Sequence, residues 1–146
     1  MYDSTDDTND HINNVQARIG ELMTELMRRA AWHDMSKLRE PEKSGYDALG
    51  AALQGIAYGS DEYRAALEAN APTVAHHYAE NRHHPEHWAD GIAGMSLLDV
   101  LEMVADWKAA SERGGGALDV ERNIKRFGIE PQLAEILRNT VRELGW

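Results

Sequence analysis

Apolar side chains recur in this chain every three or four residues and nowhere settle into alternation, a spacing that restricts it to helices. The first stripe runs Ile12, Val15, Ile19, Leu22, Met23, Leu26, Met27 and Ala30, with Gly20 placed to break it into helices over 10–19 and 21–34. Further helices are expected over 48–58 (closed by Gly59 and Ser60), over 61–67, and from Pro72 to about residue 82, where Pro85 ends the run. Ser96 followed by Asp99 has the form of a capping box and opens a helix over 96–110. After the glycine run 114–116, two more follow over 118–127 and 132–144, parted by Gly128 and Pro131. The fold class expected is all-α, a bundle of six or seven helices. A disordered acidic lead over 1–9 precedes one domain over 10–146.

Composition narrows the function classes. With no cysteine there is no disulfide, no thiolate zinc site and no cysteine nucleophile, and a reducing interior is permitted. The opening residues are acidic rather than basic and apolar, unlike a signal peptide, and no stretch approaches the ~20 apolar residues of a membrane span. A cytoplasmic location is the expectation. A net charge of −10 repels nucleic acid polymers and anionic membranes, but leaves room for a small anionic substrate where metal ions reverse the local field.

Five of the seven histidines fall between positions 76 and 87, in HHYAENRHHPEH. Neutral imidazole is the commonest metal ligand among side chains. If the helix continues, His77, Asn81 and His84 share a face, and Pro85 can turn His84 away in favour of His83. A His-rich stretch alone is weak evidence, and a solvated surface explains it equally well. The residues elsewhere in the chain change that balance. His33 and Asp34 offer a nitrogen and an oxygen to one divalent ion, and the two oxygens of Asp34 can bridge two ions. Lys37 adds a cation suited to a substrate phosphate. Asp99, Glu102 and Asp106 form an acidic stripe on the 96–110 helix; solvation accounts for the first two, whereas Asp106, flanked by Ala105 and Trp107, is expected to be buried and to need a partner.

Together these residues resemble the HD-domain phosphohydrolase superfamily. His33-Asp34 with Ser36-Lys37 is similar to its HD-x-G-K segment, with Ser36 in the glycine's place. His83-His84-Pro85-Glu86 is similar to the HHE segment of its two-metal branch, and Asp106-Trp107-Lys108-Ala109 to the late D-x-x-A. The GYP signature is missing, so cleavage of cyclic di-GMP is not implied. The string His33 to Lys37, Pro41-Glu42, His77 to His87 and Glu102 to Trp107 resembles more closely still a small phage-associated family of unknown function. The resemblance covers residues 11–110, with the helices of 118–144 beyond it.

The resemblance implies an HD-like helical bundle in which His33, Asp34, His77, His83 or His84, and Asp106 hold one or two divalent transition ions (Mn, Fe, Co, Ni or Zn). The superfamily's first histidine would be His11, which can join only if the chain reverses near Gly20. Glu42 or Glu86 would transfer a proton or orient a histidine. The activity implied is hydrolysis of a nucleotide or similar small phosphate ester by metal-activated water. The alternative is a metal-binding regulatory or interaction protein without turnover. Tyr46, Tyr63, Tyr78 and Trp88 are candidates to stack a base, though core packing explains each as well.

Overall fold

The computed structural model describes residues 2–56, 60–113 and 115–146. It is all-helical, with seven α-helices and no strand among the described residues. Tyr58, Gly59 and Gly114, where a helix end and two turns were expected, lie outside the described residues. The chain divides into two compact units, Met1–His33 and Asp34–Trp146, and the division falls between the His and the Asp of the HD pair.

The first unit is one uninterrupted helix, α1, over Thr5–Trp32. Two expectations are corrected here. Residues 5–9 are helical rather than a disordered lead: Asp6 and Asp7 sit in the first turn, where carboxylates favour the positive end of the helix dipole. Gly20 does not reverse the chain either. A mid-helix glycine costs only about 1 kcal/mol relative to alanine, and the surrounding helix formers carry the helix through it. Ion pairs within the helix, Arg18 with Glu21 and Glu25 with Arg28 and Arg29, add support across the following turns. The apolar stripe lies on a helix with no buried residue.

In the second unit a 3₁₀ turn (Met35–Leu38) leads into α2 (Glu42–Ala52), followed by α3 (Asp61–Ala69) and α4 (Ala71–Glu80). Helix α2 begins six residues before the expected start at 48 and stops at Ala52. The Ser60 hydroxyl caps α3 by accepting the Tyr63 N–H. Helix α4 ends at Glu80, two residues short of the expected limit, because Asn81 adopts an extended backbone. Short 3₁₀ turns at Pro85–His87 and Gly91–Gly94 then lead to α5 (Leu97–Arg113), α6 (Val120–Phe127) and α7 (Pro131–Leu144). The capping box forms as read: Ser96 N–H donates to Asp99, and Asp99 N–H to the Ser96 hydroxyl.

The core joins α5 to α7. Val100, Met103 and Val104 pack with Ile129, Ala134, Leu137 and Val141, and Trp107, Ile124 and Phe127 close its edge. Each such side chain contributes about 1.5–3 kcal/mol when fully buried. This anchors α5, the helix that carries Glu102 and Asp106. A second close contact positions α2 on α4: a Cβ on Gly45 would overlap the Thr73 side chain, so only glycine allows the approach. Glu42, one turn earlier on α2, is thereby set against the histidines of α4.

Candidate metal centre

The second unit gathers Asp34, His77, His83 and His84 from three separate stretches of chain. Asp34 opens the 3₁₀ turn at φ 58°, ψ 13°, in the left-handed region. It is the one non-glycine residue with positive φ among the described residues. Aspartate tolerates this conformation better than most side chains, and such strain concentrates at functional sites. His77 lies in the last turn of α4, and His83 and His84 follow in the turn beyond it, where His84 N–H donates to the Asn81 carbonyl at 3.2 Å.

The donor atoms converge. His77 Nε2 lies 3.3 Å from Asp34 Oδ1 and 2.9 Å from His84 Nε2. His83 Nε2 lies 3.5 Å from the same Asp34 oxygen. Donors about 2.0–2.1 Å from a common ion stand ~3.3 Å apart in tetrahedral and ~2.9 Å apart in octahedral geometry. The three separations, 2.9, 3.3 and 3.5 Å, are close to those that donors around one ion take. An Asp106 carboxylate oxygen lies within 4.8 Å of an Asp34 oxygen.

Behind two of these imidazoles stands a carboxylate. His77 Nδ1–H donates to Glu42 Oε2 at 2.9 Å, and His83 Nδ1 faces Glu102 Oε1 at 3.3 Å. A proton held at Nδ1 leaves Nε2 with its lone pair directed inward, which is how orienting carboxylates prepare metal-binding histidines. Glu42 has no exposure to solvent and also accepts from His76 Nδ1 and the Ser36 hydroxyl, each at 2.9 Å. Burial raises the Glu42 carboxyl, but the hydrogen bonds from His76, Ser36 and His77 outweigh it, so the net shift is downward and the group is ionised. Asn81 donates to the Ser36 hydroxyl at 2.8 Å and to the His77 carbonyl at 2.8 Å, tying the end of α4 to the 3₁₀ turn.

Burial also lowers His77, with Glu42 offsetting part of the effect. His84 falls to about 3, first through burial and then through its His83 and His77 neighbours. Both are neutral at pH 7, the form that binds metal. Tyr46, edge-on to His77 at 5.8 Å, rises to about 12 through burial and then through the Glu42 and Asp34 charges.

The expected residues divide clearly. His77, His83, His84 and Asp34 come together, and both members of the His83-His84 pair take part; the turn after Glu80, rather than one helical face, brings them in. Lys37 Nζ donates to Asp34 Oδ2 at 2.6 Å, so one carboxylate oxygen meets the cation and the other the imidazoles. Glu42 orients His77. Glu86 instead lies 3.8 Å from Arg126. His33 belongs to the first unit as the C-cap residue of α1, one peptide bond before Asp34. His11 is excluded: along the continuous helix it stands ~33 Å from His33, at about 1.5 Å per residue, and its side chain is exposed.

Sequence reasoning treated Asp99 and Glu102 as a solvated face, and both are otherwise. Asp99 is wholly buried, capping α5 and pairing with Arg82 at 3.2 Å. Glu102 backs His83. Their spacing to Asp106 on one stripe was the available signal. Of the candidate stacking residues, Tyr46 packs on His77, and Trp88 packs against Arg82 and donates to its carbonyl. Tyr78 alone among the four lines the cleft of about 570 Å³ that opens beside His83, His84 and Asp106. The parallel pair Trp107 and Phe127, 5.6 Å apart, lines it too.

The fold and site define a class: an all-helical protein whose second unit carries a candidate transition-metal centre of imidazoles and carboxylates. The chain belongs to a family of unknown function, DUF5662, matched over residues 1–143. No curated protein and no solved structure matches it. No described helix is long and apolar enough to cross a membrane.

Proposed function

We propose that this protein is a metal-dependent phosphohydrolase of the HD type, acting on a nucleotide or similar small phosphate ester. One observation carries the reading: the Nε2 atoms of His77 and His83 face one Asp34 oxygen, His84 Nε2 lies beside that of His77, and the His77 and His83 rings are backed by carboxylates at Nδ1. Solvated histidines need no such orienting partners. The donor set suits Mn, Fe, Co, Ni or Zn better than magnesium.

A divalent ion held there would polarise phosphoryl oxygens and make water acidic enough to act as a nucleophile near neutral pH. The chain's own residues do the rest. Glu42 and Glu102 fix the tautomers of His77 and His83, so neither ring must reorient during turnover. Lys37, held on the outer oxygen of Asp34, supplies positive charge toward a phosphate. The cleft beside His83, His84 and Asp106 has the volume for the organic part of the ester. In the reaction a water oxygen bonds to phosphorus, the ester P–O bond breaks, and the departing oxygen takes up a proton.

The test is a screen of nucleotides and generic phosphate esters with added manganese, comparing the wild type with Asp34→Ala. Turnover that disappears in the variant supports the proposal. Turnover that survives the substitution, or none at all in a protein holding its ion, overturns it; the second result points to metal binding without catalysis.

A further inference from the structure

The cleft has a second chemical end that the proposed hydrolysis does not use. Arg122 and Arg126 stand four residues apart on α6, hence on one face of that helix, and both line the same cleft as His83, His84 and Asp106. In a chain with ten more acidic than basic charges, a lining in which Arg122 and Arg126 balance Asp106 and Asp119 is a local relief of the negative charge. Arg126 is held in place: its guanidinium lies 4.7 Å from the Phe127 ring centroid, and Glu86 lies 3.8 Å away. Arg122 has no carboxylate partner for its side chain among the described residues. The nearby acid, Asp119, accepts the Arg122 backbone N–H at 2.9 Å and so caps the helix. Asn123 adds a neutral hydrogen-bonding side chain to the same wall.

Apolar and aromatic surface completes the lining, in the stacked Trp107 and Phe127 with Leu118. A single phosphate would leave most of about 570 Å³ unfilled. A ligand that fills it places one anion at the imidazoles, an organic body on the aromatic surface, and reaches α6 with its far end. Guanidinium forks are the side chains best matched to phosphate oxygens.

Resting on the phosphohydrolase reading, we propose that α6 forms a second anion site and that the substrate is an organic bisphosphate. One phosphate meets the imidazole cluster, the other meets Arg122 and Arg126, and a ring-bearing spacer lies between them. The arginines act as specificity residues, binding a phosphate that is not cleaved.

The experiment compares calorimetric binding of adenosine 3′,5′-bisphosphate and adenosine 5′-monophosphate. The proteins are the wild type, the double variant Arg122→Gln with Arg126→Gln, and Arg142→Gln, an exposed arginine that does not line the cleft. Metal content is measured on each sample. The double variant is expected to keep its helicity and bound metal and to lose about tenfold or more in bisphosphate affinity, roughly 1.4 kcal/mol or more. Its monophosphate affinity is expected to change less than about twofold, and Arg142→Gln to change neither. Equal losses for both ligands, no loss for either, or no bisphosphate binding by the wild type overturns the second anion site. A wild type without a transition ion overturns the metal reading instead, and the same comparison on that protein still decides whether the arginines hold the second phosphate.

Discussion

Replacing Glu42 by glutamine keeps the side chain's size and removes its charge from a position with no solvent exposure. Oε2 accepts from His77 Nδ1 and the Ser36 hydroxyl, and Oε1 from His76 Nδ1, all at 2.9 Å. Hydrogen bonds to a charged acceptor contribute about 1.5–3 kcal/mol each, and a neutral amide retains part of that. The larger consequence is the tautomer. A glutamine amide can donate to His77 Nδ1, which moves the ring proton to Nε2 and blocks the atom aimed at Asp34. Loss of an orienting partner of this kind typically weakens metal affinity by about 10–100-fold, or about 1.4–2.7 kcal/mol. The assay is competition for Zn²⁺ against a chromophoric chelator. Urea unfolding of the metal-free proteins, run in parallel, separates lost stability from lost affinity. A Glu42→Gln protein that is folded and binds Zn²⁺ within about twofold of wild type would refute the reasoning that Glu42 presets His77.

His11→Ala is expected to leave Zn²⁺ affinity unchanged in the same competition, because α1 is continuous through Gly20; a clear loss would show the chain reversing there after all. Gly45→Ala is expected to push α2 from α4 through the Thr73 overlap and to cost about 1–3 kcal/mol in urea unfolding. Unchanged stability would mean that the two helices do not approach as closely as described. Stripping metal with a chelator is expected to lower the unfolding temperature, since ligand at about 1,000 times its Kd stabilises a fold by about 4.1 kcal/mol. A melting curve indifferent to chelator and to added Zn²⁺ would contradict a resident ion.

Much of the fold was legible because helix signals are local. The 3.6-residue period and the Ser96–Asp99 capping box announced the C-terminal helices nearly at their observed bounds. Helix breaking was less legible. Gly20 is a weak breaker in a run of good helix formers, whereas Asn81, an ordinary helix residue by position, ends α4 because it ties the chain end to Ser36. The inner ligands could be read, since imidazoles and an HD pair are chemically conspicuous. Their supporting carboxylates were harder to assign. Glu42 stood between proton transfer and orientation, and Glu102 between a solvated face and a buried one, because only tertiary packing decides which histidine stands in front of each. The arginines of α6 gave no signal at all: one turn of a short, polar helix looks like any solvated surface until the cleft is seen.

The most direct test of the account is X-ray absorption at the metal edge of the full-length protein loaded with Zn²⁺. It predicts about one tightly held ion with nitrogen and oxygen donors at about 2.0–2.1 Å and the multiple scattering of several imidazoles, reduced in His84→Ala. An ion surrounded by water oxygens alone, or a spectrum unmoved by that substitution, would contradict it.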